Sequence, residues 1–213
     1  MKTLVPSQKS SYDSLKTNRK GHYQSYLFPN LRVTVVIPAY NEESNIGETL
    51  AQIPKNISNK MEIIVVDDGS VDKTYEIASQ YDINIIRHPK NRGNGAATKT
   101  GLNFCKKINC DVVVILDGDG QHDPKYISKF IEPIFKDSIE FVIGNRFTSY
   151  YNMNALRKFC SKLMTAFYFL LLRKKISDPT NGYRALSSKV INNIGFESEY
   201  SLTQEMLFKI IPK

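Results

Sequence analysis

The sequence predicts an α/β fold, with a mostly parallel central sheet flanked by helices, and three observations predict it. First, short β-branched apolar runs alternate with stretches of helical length and spacing. Second, polar clusters recur just past the ends of those runs, at 38–43, 67–70, 117–121 and 144–146. Neighbouring parallel strands would bring such ends to one cleft at the sheet edge, where α/β folds bind their ligands. Loop chemistry accounts for any one cluster, less easily for all four. Third, 213 residues suffice for one well-buried domain.

Residues 1–30 mix Ser, Lys, Tyr and Asn without periodicity and read as a flexible basic arm, which leaves 31–213 as the domain. Residues 32–37, Arg-Val-Thr-Val-Val-Ile, read as a strand ended by Pro38, with a helix following around 43–53. Residues 62–66 make a second strand, and Ser70 or Asp72 can cap a helix running to about Tyr81. A short third strand covers 83–86, and a glycine-led helix covers 93–107. The run 112–116, Val-Val-Val-Ile-Leu, has the uninterrupted apolar character of a central parallel strand. Pro124 then suits the first turn of a helix reaching about Phe135, and 140–143 form another strand.

Charge is spread unevenly. Residues 141–177 hold seven Lys/Arg and no Asp or Glu, and 1–32 hold six against one, within a net charge of +8. The rest carries sixteen basic and twenty acidic residues, so a basic patch sits on a mildly acidic body and points to an anionic partner. Around 153–175, Leu156, Phe159, Cys160, Leu163, Phe167 and Leu170 recur at helical spacing opposite Arg157, Lys158, Ser161 and Lys162. From Ala166 the stretch is apolar all round and closes with Arg173-Lys174-Lys175. A helix packed on the sheet explains the stripe. An interfacial helix on an anionic membrane also explains the extra Phe and Leu residues and the lack of acid. The aromatics lie on the apolar stripe rather than interleaved with the charges, so no nucleic-acid partner is expected.

The three cysteines, 105, 110 and 160, lack metal-site spacing and read as reduced thiols of a cytosolic protein. No signal peptide is expected, and no apolar run approaches the roughly 20 residues that span a bilayer. The peripheral, cytoplasmic face of a membrane is the expected location. Neither a G-x-G-x-x-G fingerprint nor a P-loop is present.

The chemistry centres on Leu116-Asp-Gly-Asp-Gly-Gln-His-Asp-Pro124. Asp117 and Asp119 leave a strand end one glycine apart, and two carboxylates aimed at one point repel unless a cation lies between them. Hard oxygen ligands suit Mg²⁺ or Mn²⁺ carrying a substrate's phosphates, while the plain alternative is an acidic turn capping the next helix.

Over about residues 33–208 the chain resembles the family 2 glycosyltransferases of the GT-A (nucleotide-diphospho-sugar transferase) fold. The resemblance rests on five pieces in order: Val36-Ile-Pro-Ala-Tyr-Asn-Glu-Glu43, Val65-Val-Asp-Asp-Gly-Ser70, Asn91-Arg-Gly-Asn-Gly95, the Asp117–Asp119 motif and Gly144-Asn-Arg146. Within the family it resembles the branch that moves a sugar onto polyprenyl or dolichyl phosphate. Asp178-Pro-Thr-Asn-Gly-Tyr-Arg184, the basic opening at Arg157-Lys158, and Glu205 carry this narrower likeness.

The resemblance implies a metal-dependent, inverting hexose transfer from a UDP- or GDP-sugar to a polyprenyl phosphate at a membrane surface. It implies Pro38, Tyr40 and Glu42 against base and ribose, Asp67 accepting from the base's ring N–H, and Asp117 with Gly118 beside ribose or metal-bound water. Asp119 is the implied principal metal ligand and Gln121 an auxiliary one. Asp68 is either a nucleotide contact or a turn residue, and Gly93 and Gly95 either admit a helix start close to the ligand or form a loose loop. For His122 a loop-stabilising hydrogen bond is the favoured reading over a sugar contact. Arg146, Arg157 and Arg184 are the candidates for gripping the acceptor phosphate, because Arg offers forked donors. Arg157 is equally a solvated helix charge. A saccharide or protein acceptor is the alternative. It would need a general base, with Asp178 or Glu205 as candidates. The D-G-D-G-Q loop, where the mannosyl branch more often has D-A-D, leaves sugar and base open.

Overall fold

The structure, a computed structural model, describes residues 3–4, 26–145 and 155–211, with backbone only for 3–4 and 155–162. In chain order the elements are β1 (Thr3–Leu4), β2 (Arg32–Ala39), α1 (Ile46–Ala51), β3 (Lys60–Asp67), α2 (Thr74–Ala78), β4 (Asn84–Arg87), α3 (Asn94–Lys107) and β5 (Val112–Ile115). A 3₁₀ turn (Pro124–Tyr126) then leads into α4 (Ile127–Asp137), β6 (Phe141–Ile143), α5 (Ala155–Leu172), β7 (Arg184–Ser187), α6 (Ser188–Asn193) and α7 (Leu202–Ile210).

The strands form one sheet in the order β1-β6-β7-β5-β2-β3-β4. Every pairing is parallel except those of β7, which runs antiparallel to both β5 and β6. Thr3–Leu4, inside the stretch read as an arm, lies parallel to Phe141–Val142 at one edge.

Side chains of successive strand residues point to opposite faces, and both faces are covered. Val33, Val35 and Ile37 pack with Ile46, Leu50, Phe130 and Ile131 of α1 and α4. Val36, Ile64 and Val113 face Ala97, Leu102 and Cys105 of α3, with Leu202 and Met206 of α7 beyond. That double cover explains why β5, buried along its whole length, reads as an uninterrupted apolar run. Burying Cys105 and Cys110 as free thiols agrees with their reading as reduced residues.

Several boundaries differ from the sequence reading. β2 continues through Pro38, which pairs in register with Val66. Pro38 O accepts the Gly118 N–H at 3.3 Å, so the side on which proline lacks a donor faces β5, already ended at Ile115. At the start of α2 it is Asp72 whose Oδ1 accepts the Thr74 N–H, whereas Ser70 Oγ accepts from Asn41 N. β7, α6 and α7 carried no sequence signal that was read as an element. β7 inserts between β5 and β6, so its first residues meet the C-terminal ends of both strands: Ile115 and Ile143 each pair with Arg184.

Candidate active site

The C-terminal edge of β2, β3 and β5 opens into a cleft of about 280 Å³. Pro38, Ala39, Tyr40 and Glu42 line it from β2, Asp68 from β3, and Asp117, Gly118 and Asp119 from β5. Asn91, Gly93, Asn94 and Ala97 close it at the start of α3. Three of the four polar clusters therefore converge. Within the fourth, Arg146 lies outside the described residues. Tyr40 stands exposed on the rim, and Glu42 is tied down by Asn45 Nδ2 at its carboxylate and by Thr74 Oγ1 at its N–H.

Asp67 and Asp68 end β3 with little of either carboxylate free. Asp67 is 0% exposed, its Oδ1 accepts the Ser70 N–H at 2.9 Å, and Arg87 Nε lies 3.0 Å from Oδ2. That ion pair lacks hydrogen-bond geometry, and the Arg87 guanidinium also donates to Ser70 O and lies over the Tyr75 ring. Asp68 meets His88 Nδ1 at 2.6 Å and accepts the N–H groups of Arg92 and Gly93. His88 Nε2 continues to Thr100 Oγ1. Asp68 thus fastens residues 91–93, which form one wall of the cleft, to the end of the sheet.

Asp117 and Asp119 sit differently. The Asp117 N–H donates to His122 Nδ1 at 3.2 Å, which assigns the buried imidazole the tautomer with its proton on Nε2. This is the loop-stabilising role expected of His122, and its ring also lies 5.1 Å from that of Tyr183. Asn94 Nδ2 donates to Asp117 Oδ1 at 3.3 Å. Asp119 Oδ1 accepts the Gln121 N–H across Gly120, whose φ of 73° makes the turn. No other hydrogen bond engages the Asp119 carboxylate among the described residues, and Gln121 is exposed.

The 178–184 segment corrects one expectation. Arg184 does not face the cleft: it is 1% exposed, and its Nε, Nη1 and Nη2 donate to the carbonyls of Asn181, Thr203 and Pro179. The Phe141 ring lies 5.6 Å from its guanidinium. Burial pushes its pKa down to about 9, against the opposing charges of Asp117 and Asp178. Its forked donors hold a turn of its own chain, which removes it as a phosphate grip. Asp178 is 1% exposed and accepts from Thr180 Oγ1.

Glu205 accepts the N–H groups of Glu197 and Ser198, both at 2.8 Å, and pairs with Lys209. Burial opposes its ionisation, but Lys209 and those two N–H groups outweigh it and hold the carboxyl below the usual carboxylate range. Gly95 is also explained by packing. A Cβ there would lie 2.1 Å from Glu199 O, so the glycine admits the 195–201 loop, which the Arg92–Glu199 ion pair clasps. Arg157, Lys158 and Lys162 fall on α5, and their side chains lie outside the described residues.

Asn94, Arg87 and Gly182 were not singled out from the sequence. Asn94 stood inside the quoted Asn91–Gly95 motif, so its signal was present. Gly182 likewise stood inside the Asp178–Arg184 motif, whereas Arg87 becomes visible only through its contact with Asp67.

Comparison with known proteins agrees with this architecture. Residues 34–195 match the family "Glycosyl transferase family 2". A UDP-N-acetylglucosamine–dolichyl-phosphate N-acetylglucosaminyltransferase of Methanococcus voltae is 34% identical over 179 residues, covering 75% of this chain and 70% of that protein. A dolichol-phosphate mannosyltransferase of Pyrococcus furiosus is 34% identical over 194 residues. This chain spans 53% of that protein's length, and the match covers 84% of this chain. Among solved structures, glucosyl-3-phosphoglycerate synthase from Mycobacterium tuberculosis, in complex with Mn²⁺, UDP and glucosyl-3-phosphoglycerate, superposes with a TM-score of 0.67 at 22% identity. That match covers 85% of this chain and 67% of the synthase, and at such identity it speaks for the GT-A-like fold alone. With the family match covering most of the sheet and the whole cleft, the chain belongs to glycosyl transferase family 2.

Proposed function

We propose that this domain transfers a sugar from a nucleotide-sugar to a polyprenyl or dolichyl phosphate at a membrane surface, using Mg²⁺ or Mn²⁺. The observation that carries the reading is the cleft at the strand ends, with one carboxylate walled in and one open. Asp119, the open one, is the group able to turn toward a cation, with Asp117 behind it and the exposed Gln121 two residues on. Two hard carboxylates fit a divalent cation that completes its shell with substrate phosphates. Such a cation would supply Lewis acidity to the leaving diphosphate.

The chain's own residues do the remaining work. Pro38, Tyr40 and Glu42 on one wall, and Asn91–Asn94 fixed by Asp68 on the other, hold the nucleoside between them. Asp67 meets the base if Arg87 gives way. A lipid phosphate is already an anionic nucleophile, so positioning and charge neutralisation suffice, and attack at the anomeric carbon inverts it. Arg146 is the proposed grip on that phosphate. The state of Glu205 favours this acceptor over a saccharide or protein: a carboxylate bonded to two N–H groups and a lysine, with its pKa lowered, is a poor general base. The two relatives named above act, by their names, on dolichyl phosphate.

For the membrane, support comes from α5, which exposes Leu163, Phe167, Phe169, Leu170 and Leu171 ahead of Arg173, Lys174 and Lys175. Among the described residues no helix is long and apolar enough to cross a bilayer. A transfer assay tests the reading: radiolabelled UDP- and GDP-sugars, with Mn²⁺ or with EDTA, and a short soluble prenyl phosphate or a long one in anionic vesicles. Label should enter the organic phase only with metal. Neutralising residues 173–175 together should lower transfer on vesicles, by about 1 kcal/mol of binding per charge, and spare the soluble acceptor. Full turnover in EDTA would overturn the metal reading, and an unaffected triple variant would overturn the surface reading.

A further inference from the structure

Gly182 begins the short link from the 178–181 turn into β7, and its position has one consequence for the cleft. A Cβ added there would lie 2.4 Å from Asp117 Oδ2, 3.2 Å from its Cγ and 3.3 Å from its Oδ1. All three nearest atoms belong to one carboxylate. The φ of Gly182 lies outside the left-handed region, so backbone freedom does not explain the glycine, and space does.

The turn behind it cannot retreat. Arg184 donates to the carbonyls of Pro179 and Asn181, and Asn181 Oδ1 accepts the Tyr183 N–H at 2.9 Å. Tyr183 O accepts the Gly144 N–H at 2.9 Å, and the Tyr183 ring stacks on Phe130 at 4.0 Å. On its other sides the Asp117 carboxylate meets Asn94 Nδ2 and, at 3.5 Å, His122 Nδ1.

We propose that Gly182 is a positioning residue whose bare backbone backs the Asp117 carboxylate behind the donor cleft and fixes its rotamer. An added methyl group meets a rigid turn on one side and the end of a side chain on the other, so the side chain moves. Asp117 would swing off Asn94 and into the space that the diphosphate and its cation need. The proposal rests on the reading of Asp117 as part of the donor site. It assigns the Asp178–Arg184 segment a part in donor binding, with Arg184 as the clamp beneath.

The test is a double-mutant cycle read by calorimetry with UDP and GDP, each with and without Mn²⁺. Gly182→Ala should melt close to the wild type while losing tenfold to a hundredfold in Mn²⁺-supported nucleotide affinity, the range for residues that orient a ligand-bearing group. In an Asp117→Ala background the same change should cost nothing further, because the clashing group is gone. An undiminished loss in that background, or wild-type affinity for Gly182→Ala alone, overturns the proposal. A crystal structure of Gly182→Ala reads the claim without any ligand, so it separates this inference from the proposed function. A carboxylate turned away from Asn94 supports it, and an unmoved Asp117 with a shifted 181–183 turn overturns it. A wild type that binds neither nucleotide would count against the donor reading and leave the crystallographic outcome to decide this one.

Discussion

Two carboxylate pairs end two neighbouring regions of the sheet, and in sequence they look alike: Asp67-Asp68-Gly69 after β3 and Asp117-Gly118-Asp119 after β5. In the fold they are opposites. Asp67 and Asp68 are 0% and 2% exposed and engaged by Ser70, Arg87, His88, Arg92 and Gly93. Asp117 is walled on three sides, and Asp119 holds a single N–H and faces the cleft. A buried carboxylate that accepts from several donors, as Asp68 does, is architecture, because its oxygens are taken. One left with open lone pairs is available for chemistry. Asp68 fastens the wall of the cleft, and the second pair faces what enters it.

The comparison breaks if the two pairs respond alike to mutation. The largest effect is expected for Asp119→Ala: kcat/KM for transfer should fall about 10³-fold or more, about 4 kcal/mol of barrier. Its unfolding free energy, from urea titration, should stay within about 0.5 kcal/mol of the wild type. A large stability loss would move Asp119 into the architectural class.

Asp68→Ala should show the reverse priority. Removing it strands His88 and two N–H groups, and about 3 kcal/mol of stability should go with them. Nucleotide affinity should fall as a consequence, because residues 91–93 lose their anchor. A variant as stable as the wild type with weakened nucleotide binding would make Asp68 a ligand contact instead.

The smallest effect sharpens the contrast outside the cleft, at Glu205, which resembles Asp68 in accepting two backbone N–H groups. Its folded pKa lies below the ordinary value, so its contribution is complete above the usual carboxylate range and fades as pH falls through the folded pKa. Glu205→Gln should therefore cost about 1 kcal/mol near neutral pH, with the gap to the wild type closing on acidification. A gap independent of pH would mean that the charge plays no part.

The carry-over from sequence was uneven in the same way. Arg184 sat in a motif and carried the residue type that grips phosphate, yet its three bonded nitrogens turn to carbonyls of its own segment and of α7. Gly95, read as either a glycine close to the ligand or part of a loose loop, admits a loop about a hundred residues away in sequence. The partner of His122, by contrast, is local: the Asp117 N–H only five residues back.

The sequence by itself determined the strands of the parallel half, the convergence of their polar ends and the Asp117–Asp119 motif. Those follow from short uninterrupted apolar runs and from residues adjacent in the chain. Only the tertiary structure decided that β7 threads antiparallel between β5 and β6, bringing Gly182 against Asp117. It alone decided that Asp68 is saturated, since its partners His88, Arg92 and Gly93 lie about twenty residues on. Whether a carboxylate is free depends on how many donors reach it, and packing brings those donors in from distant parts of the chain.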